Sequence, residues 1–225
     1  MTPLLLPLFV LGSATNILGA VPQARRTVLQ RQTDGLSPLG LRAGMLVNAA
    51  WFAYSLASGS LGLAVINGIT TLICTANVVA HRVHHPVKPA TALDVAAVAG
   101  LALWAALAMT GQAAALSGVA VVLGFVVGLP QLASLVLHPA TTKGVAVGGY
   151  VLGSIGGVAW SVYWGLQAHH FAAGGALYGG VVALTGLALL RGRPVISALL
   201  AHRQPALHRG LRDGAARART LLPAV

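Results

Sequence analysis

"VGLPQLASLVLH" (residues 127–138) sets a proline and a glutamine inside an otherwise apolar helical run, and "GAVPQARRTVLQ" (residues 19–30) does the same 108 positions earlier. Proline within a helix removes one backbone hydrogen bond and clashes with the preceding turn, at a cost of about 3 kcal/mol in water. In a membrane, neighbouring helices or side chains can satisfy the freed carbonyl, and such a site bends readily. Pro22 with Gln23 and Pro130 with Gln131 are therefore read as two hinges. Each glutamine is the nearest side chain able to donate to its own loosened backbone.

The runs around these pairs are long. Seven apolar stretches approach the roughly 20 residues needed to cross a hydrocarbon core: Leu4 to Val21, Leu39 to Ser58, Leu61 to Ala80, Leu93 to Thr110, Leu116 to Leu137, Val145 to Gln167 and Phe171 to Leu190. Only 8% of the 225 residues are charged, about a third of the share in a soluble domain, which places the chain among membrane proteins. No Lys or Arg precedes the first run, so it is read as a retained helix rather than a signal peptide. Cys74 falls within a span as the single cysteine; it forms no internal disulfide and is read as a small packing residue.

The net charge of +11 would suggest a nucleic-acid partner in a soluble chain, but here its distribution reports topology, and no nucleic acid is inferred. Arg25, Arg26, Arg31 and Arg42 bracket the first connection, Arg82 and Lys88 the third, and Lys143 the fifth, while Arg191, Arg193, Arg203, Arg209, Arg212, Arg217 and Arg219 fill the tail. Threading seven spans alternately puts all of these on one face. The opposite connections, around Gly59, Gln112 and "AHHF", carry none. The positive-inside rule then places the N-terminus outside and the tail in the cytoplasm, with the protein multi-pass in the plasma (inner) membrane. The basic tail reads as a solvated segment attracted to anionic lipid.

The two Pro-Gln pairs align at a shift of 108; one extra residue in the second connection makes the later shift 109, which matches Gly35 with Gly144, Gly40 with Gly149, Gly44 with Gly153, Trp51 with Trp160 and Tyr54 with Tyr163. Two three-helix units emerge. Because three spans end on the side opposite their start, a second unit of the same orientation requires one helix between, and Leu93 to Thr110, which has no counterpart, supplies it. The expected fold is all-α with seven transmembrane helices, two parallel three-helix repeats joined by a linker helix. Residues 1–82 form the first repeat, 83–114 the loop and linker, 115–191 the second repeat and 192–225 the tail. Parallel repeats place a pathway between them, with its site near the midplane.

A Pro-Gln near the end of the first helix of each unit, followed by "TDGLSPLGLRAGMLVNAAWFAY" in one and "TKGVAVGGYVLGSIGGVAWSVYWG" in the other, resembles the PQ-loop superfamily. The layout is most similar to SWEET sugar transporters and the half-sized SemiSWEETs. The resemblance covers roughly Val10 to Leu190. It implies that Pro22 and Pro130 flex to close the cytoplasmic side, and that Trp51 and Asn67, 16 residues apart on adjacent helices, form a sugar-binding pair with Trp160. It also implies that Tyr54 and Tyr163 are similar to outer-gate tyrosines, although this face lacks charged partners for them. The chemistry suits a sugar: an indole covers the apolar face of the ring, and an amide offers both donor and acceptor to hydroxyls.

The second unit departs from the pattern, because Asn16 aligns with Gly124, Asn48 with Gly157, Asn67 with Ala176 and Asn77 with Gly186. Asn67, Thr71, Cys74 and Asn77 follow helical spacing down one face of the third span, which gives a polar stripe with no equal on the seventh. The expected site is lopsided: substrate bonds to Asn48 and Asn67, meets Ala176 opposite, and stacks between Trp51 and Trp160. Glycines four apart on the second helix of each unit read as ridges for close packing. The three acids, Asp34, Asp94 and Asp213, fall in a cytoplasmic connection, at a helix end and in the tail, whereas ion coupling calls for an ionisable group well within the membrane. Facilitated diffusion of a mono- or disaccharide is thus the first reading. Export of amino acids or another metabolite by the same fold, or a non-transporting receptor or scaffold, are the alternatives. No nucleophile with a base and no metal-ligand spacing stands out, so neither an enzyme nor a cofactor is expected. "HRVHH" reads as a loop, His169 and His170 as an outer-face pair that could tune a pH response, and a homo-oligomer is compatible with the sequence.

Overall fold

A computed structural model describes residues 3–84, 92–137, 144–192 and 194. Among these the regular elements are all helical. Helix α1 (Leu5–Ala24) continues through a π-helical turn at Arg25–Leu29; α2 (Pro38–Ala57), α3 (Leu61–His84) and α4 (Ala92–Met109) follow. Then α5 (Ala113–Val127) and α6 (Leu129–Leu137) form one interrupted rod before α7 (Val147–Leu166) and α8 (His170–Arg191). Seven rods result.

Five of them, Leu5–Leu29, Leu61–His84, Ala92–Met109, Ala113–Leu137 and His170–Arg191, are apolar and long enough to cross a membrane by length and composition. The other two, α2 and α7, are 20 residues each and hold Arg42, the glycine ridges and three of the four tryptophans, which lowers their hydropathy. Leu6, Leu72, Val98 and Leu184 stand exposed on the outer surface. So much uncovered apolar surface suits contact with hydrocarbon rather than water.

The packing repeats as the sequence does. In the first unit α3 packs against both α1 and α2, and in the second α8 packs against α5 and α7. Two equivalent seams join the units, α1 against α7 and α2 against α5. The linker α4 lies against α2 and α5. Asp94 in its first turn accepts from Arg42 Nε at 2.9 Å and pairs with Arg82, so α4 is tied by charge to both α2 and α3. Trp104 completes the tie by burying its ring with Ala49, Ala50, Ala53, Leu116 and Ala120.

Helix ends follow local chemistry. Ser37 caps α2 by accepting from Gly40 N at 3.1 Å, with Pro38 at the first helical position, where its missing N–H is no loss. The turn at Gly59 takes φ +71°, and its counterpart 109 residues on, Ala168, takes φ +61°. The backbone repeat thus persists where the glycine does not, at a cost of about 1–2 kcal/mol.

Three expectations need correction. The first and third rods run on to Leu29 and His84, so Arg25, Arg26, Arg82 and the first two histidines of "HRVHH" lie on helix rather than in loops, and His170 opens α8. The fifth rod is not continuous. Its break at Gly128 stands where the first unit has Ala20, and glycine costs a helix about 1 kcal/mol relative to alanine. Arg191 closes α8 rather than opening the tail, while Lys88, Lys143, Arg193 and residues 195–225, Asp213 among them, lie outside the described residues.

At the α7–α8 crossing a Cβ on Gly157 would stand 2.5 Å from Gly180 Cα and 2.8 Å from Ala176 O. Backbone cannot give way as a side chain can. Gly157→Ala is expected to destabilise by about 1–3 kcal/mol through overpacking, whereas Gly118→Ala, with nothing within 4 Å, should be neutral or stabilising. Thermal unfolding in detergent checks this; equal melting shifts would contradict the close crossing.

Candidate functional site

Two cavities lie in tandem between the units. One of about 310 Å³ reaches from Leu63 and Ala172, near the uncharged helix ends, to Gly124 and Gly179. The other, about 360 Å³, continues from those two glycines to Gln23 and Gln131 at the arginine-bearing end. Both tryptophans singled out by the repeat line the first cavity, as do Asn48, Asn67 and Ala176.

The first unit supplies the amides. Asn67, 8% exposed, donates from Nδ2 to Ser55 Oγ at 3.3 Å. Asn48 Nδ2 donates to Gly44 O at 2.8 Å and lies 3.7 Å from Cys74 Sγ. Asn16 on α1 also lines this cavity; the sequence comparison had noted it only as part of the asymmetry. On the second unit the aligned positions are Gly124, Gly157 and Ala176, all of which line the same cavity. For Gly157 the reason is the tight crossing with α8, which leaves no room for an amide.

The aromatic wall differs from expectation. Trp51 and Trp160 do not face an open slot, because Trp164 stacks on each of them, with centroids 5.9 and 6.1 Å apart and planes 20° and 24° from parallel. A ring placed between Trp51 and Trp160 would compete with Trp164 for their faces, and this third indole was missed by the sequence reading. Each outer indole rests on a small residue. A Cβ at Gly12 would be 2.8 Å from the Trp160 ring, and Trp51 packs on the cluster containing the aligned Ala120. Tyr54 packs edge-on against Trp51 and Tyr163 against Trp160. Each is thus held by its own unit's tryptophan. His169 packs edge-on with Trp164, with ring centroids 5.5 Å apart.

At the other end the glutamines do something the sequence reading did not foresee. Gln23 Nε2 donates to Thr27 Oγ1 one turn on at 2.9 Å rather than to its own helix's backbone, and both glutamines reach into the opposite unit. Gln23 Nε2 donates to Gly144 O at 2.8 Å while its Oε1 accepts from Ala146 N at 3.1 Å. Gln131 Nε2 donates to Gly35 O at 2.9 Å and its Oε1 accepts from Ser37 N at 2.9 Å. The acceptors Gly35 and Gly144, like the donors Ser37 and Ala146, are aligned pairs of the repeat. Each amide therefore binds the N-terminus of the other unit's second helix through both of its ends. A carboxylate or an alkyl group could do only half of this or none.

One turn further on, Arg26 Nη1 donates to Val145 O at 3.0 Å, and the aligned Ser134 Oγ donates to Gly35 O at 3.1 Å. Gly35 takes φ +78°. Gly144 is needed for space instead, since a Cβ there would lie 2.8 Å from Gln32 O and Asp34 O. The prolines sit directly behind these clasps. Pro22 is inside α1, ahead of the π-helical turn, a wide turn that often marks functional sites. Pro130 is the second residue of the renewed helix α6 after Gly128.

No family model matches the chain, and no curated protein matches it. Among solved structures, that of a eukaryotic SWEET transporter superposes with a TM-score of 0.59 over 85% of this chain and 99% of that one, at 15% identity. The fold is therefore of the SWEET type: an all-helical membrane architecture of two parallel three-helix units and a linker helix.

Proposed function

We propose that the protein is a facilitative transporter of a small polar solute, a sugar in the first instance, working by alternating access between the two units. The observation that carries this reading is the cavity between the units, lined by three amides of the first unit and by indoles of both, next to a mouth clasped by reciprocal glutamines. Trp51, Trp160, Asn48, Asn67 and Ala176 would form the binding site, Pro22 and Pro130 the hinges, Gln23 and Gln131 the inner clasp, and Tyr54 and Tyr163 the outer edge. The repeat boundaries at 1–82 and 115–191 fit units that move against each other. With the arginine-bearing end in the cytoplasm, the tail 192–225 would lie at anionic lipid of the plasma membrane.

The acids support uncoupled movement. Asp94 is engaged by Arg42 and Arg82, Asp34 stands in the loop before α2, and neither lines a cavity. Purified protein in proteoliposomes is expected to equilibrate labelled glucose without dependence on a proton gradient. A competition panel of sugars and amino acids separates this reading from amino-acid export, and absence of any uptake would leave a receptor or scaffold.

Pro22→Ala combined with Pro130→Ala is expected to slow uptake about tenfold, equivalent to about 1.4 kcal/mol on the barrier, with expression intact. Unchanged uptake would rule out the hinges.

A further inference from the structure

The position aligned with Trp164 in the first unit is Ser55, and the two are built into their units differently. Ser55 is fully buried, donates from Oγ to Trp51 O at 2.6 Å and accepts from Asn67; it does not line the cavity, whereas Trp164 does. Asn67 and Ala176 are likewise aligned, so the Ser-Asn pair of one unit is answered by a Trp-Ala pair in the other. The exchange does not conserve volume, since an indole far exceeds the amide that Ala176 lacks, and the surplus meets Trp51 and Trp160.

Resting on the transport reading above, we infer that Trp164 is the specificity determinant of the cavity: it closes one lobe of a pseudo-symmetric site and limits the substrate to a single hydroxylated ring. Such a ring would turn its hydroxyl edge to Asn16, Asn48 and Asn67 and an apolar face to the indoles. Size agrees. The cavity's 310 Å³ lies at the bottom of the range of about 300–1,000 Å³ typical of small-molecule sites. A second ring extending into the adjoining cavity would find few partners, because its polar side chains are Gln23, Gln131 and Tyr150, and both amides are held by the opposite unit's loops. Burying hydroxyls without hydrogen bonds is unfavourable.

The test is the ratio of sucrose to glucose uptake in proteoliposomes, for the native protein and for Trp164→Ser, Trp164→Phe and Trp164→Leu. The native protein should carry glucose and discriminate against sucrose. Trp164→Ser, which restores the residue found at the aligned position, should raise the ratio at least about tenfold, while Trp164→Phe keeps it low. If the serine variant does not fold, Trp164→Leu, which retains an apolar contact without the double ring, should raise the ratio in its place. Equal uptake of both sugars by the native protein, or a ratio unmoved in the folded variants, would overturn the assignment and leave the transport reading standing. Uptake of neither sugar would overturn that reading and this inference with it.

Discussion

Asn67→Ala is expected to abolish measurable sugar binding. The residue sits 8% exposed in the cavity wall with one donor already placed on Ser55 Oγ, so its side chain is oriented before any ligand arrives. Losing a donor and an acceptor to hydroxyls, each worth about 0.5–1.5 kcal/mol, weakens binding by about 1–3 kcal/mol. That is a factor of roughly 5 to 150 in Kd, enough to carry a millimolar ligand out of range. Asn77→Ala is the control. It lies on the same face of α3, is buried, and leaves its Oδ1 without a partner, but it does not line the cavity. Scintillation proximity with labelled glucose should separate the two; equal loss from both would show that α3 packing, not the amide, is being measured.

Gln23→Ala combined with Gln131→Ala is expected to open the arginine-bearing end. The pair makes four hydrogen bonds across the units. At about 0.6–1 kcal/mol each for polar contacts in membranes, their loss amounts to about 2–4 kcal/mol, or a factor of roughly 30 to 1,000 in the ratio of open to closed forms. Spin labels at the exposed Leu29 and Leu137, one on each unit with Cys74 replaced, should report a longer separation in the variant. An unchanged distance distribution would mean that the glutamines decorate the mouth without holding it.

Length and periodicity made the architecture readable in the sequence, because a span is a local property and a repeat is a comparison of local properties. The Pro-Gln pairs, the glycine ridges and the paired Trp and Tyr sufficed for the two-unit plan. The glutamines' partners could not be read in this way. Gln23 bonds Gly144, 121 residues distant, and no local rule says that an amide beside a proline reaches another unit's loop as well as its own next turn. Trp164 escaped for a different reason: matching positions exposes what the halves share, and Ser55 against Trp164 is a mismatch. Mismatches carry this information: Asn67 against Ala176 marks the amides of one unit, and Ser55 against Trp164 marks the third indole. The break at Gly128 was legible too, in "VGLPQ" against "GAVPQ", where glycine replaces alanine two residues before the proline.

Alternating access requires the two units to part at the clasped end during transport. Gly19 on α1 and Leu152 on α7 face each other across one seam, and a Cβ at Gly19 would lie 3.4 Å from that of Leu152, close to disulfide geometry. With Cys74 replaced by alanine, a Gly19→Cys, Leu152→Cys protein should lose glucose uptake when oxidised and regain it on reduction. Uptake as fast in the cross-linked protein as in the reduced one would contradict the parting of the units.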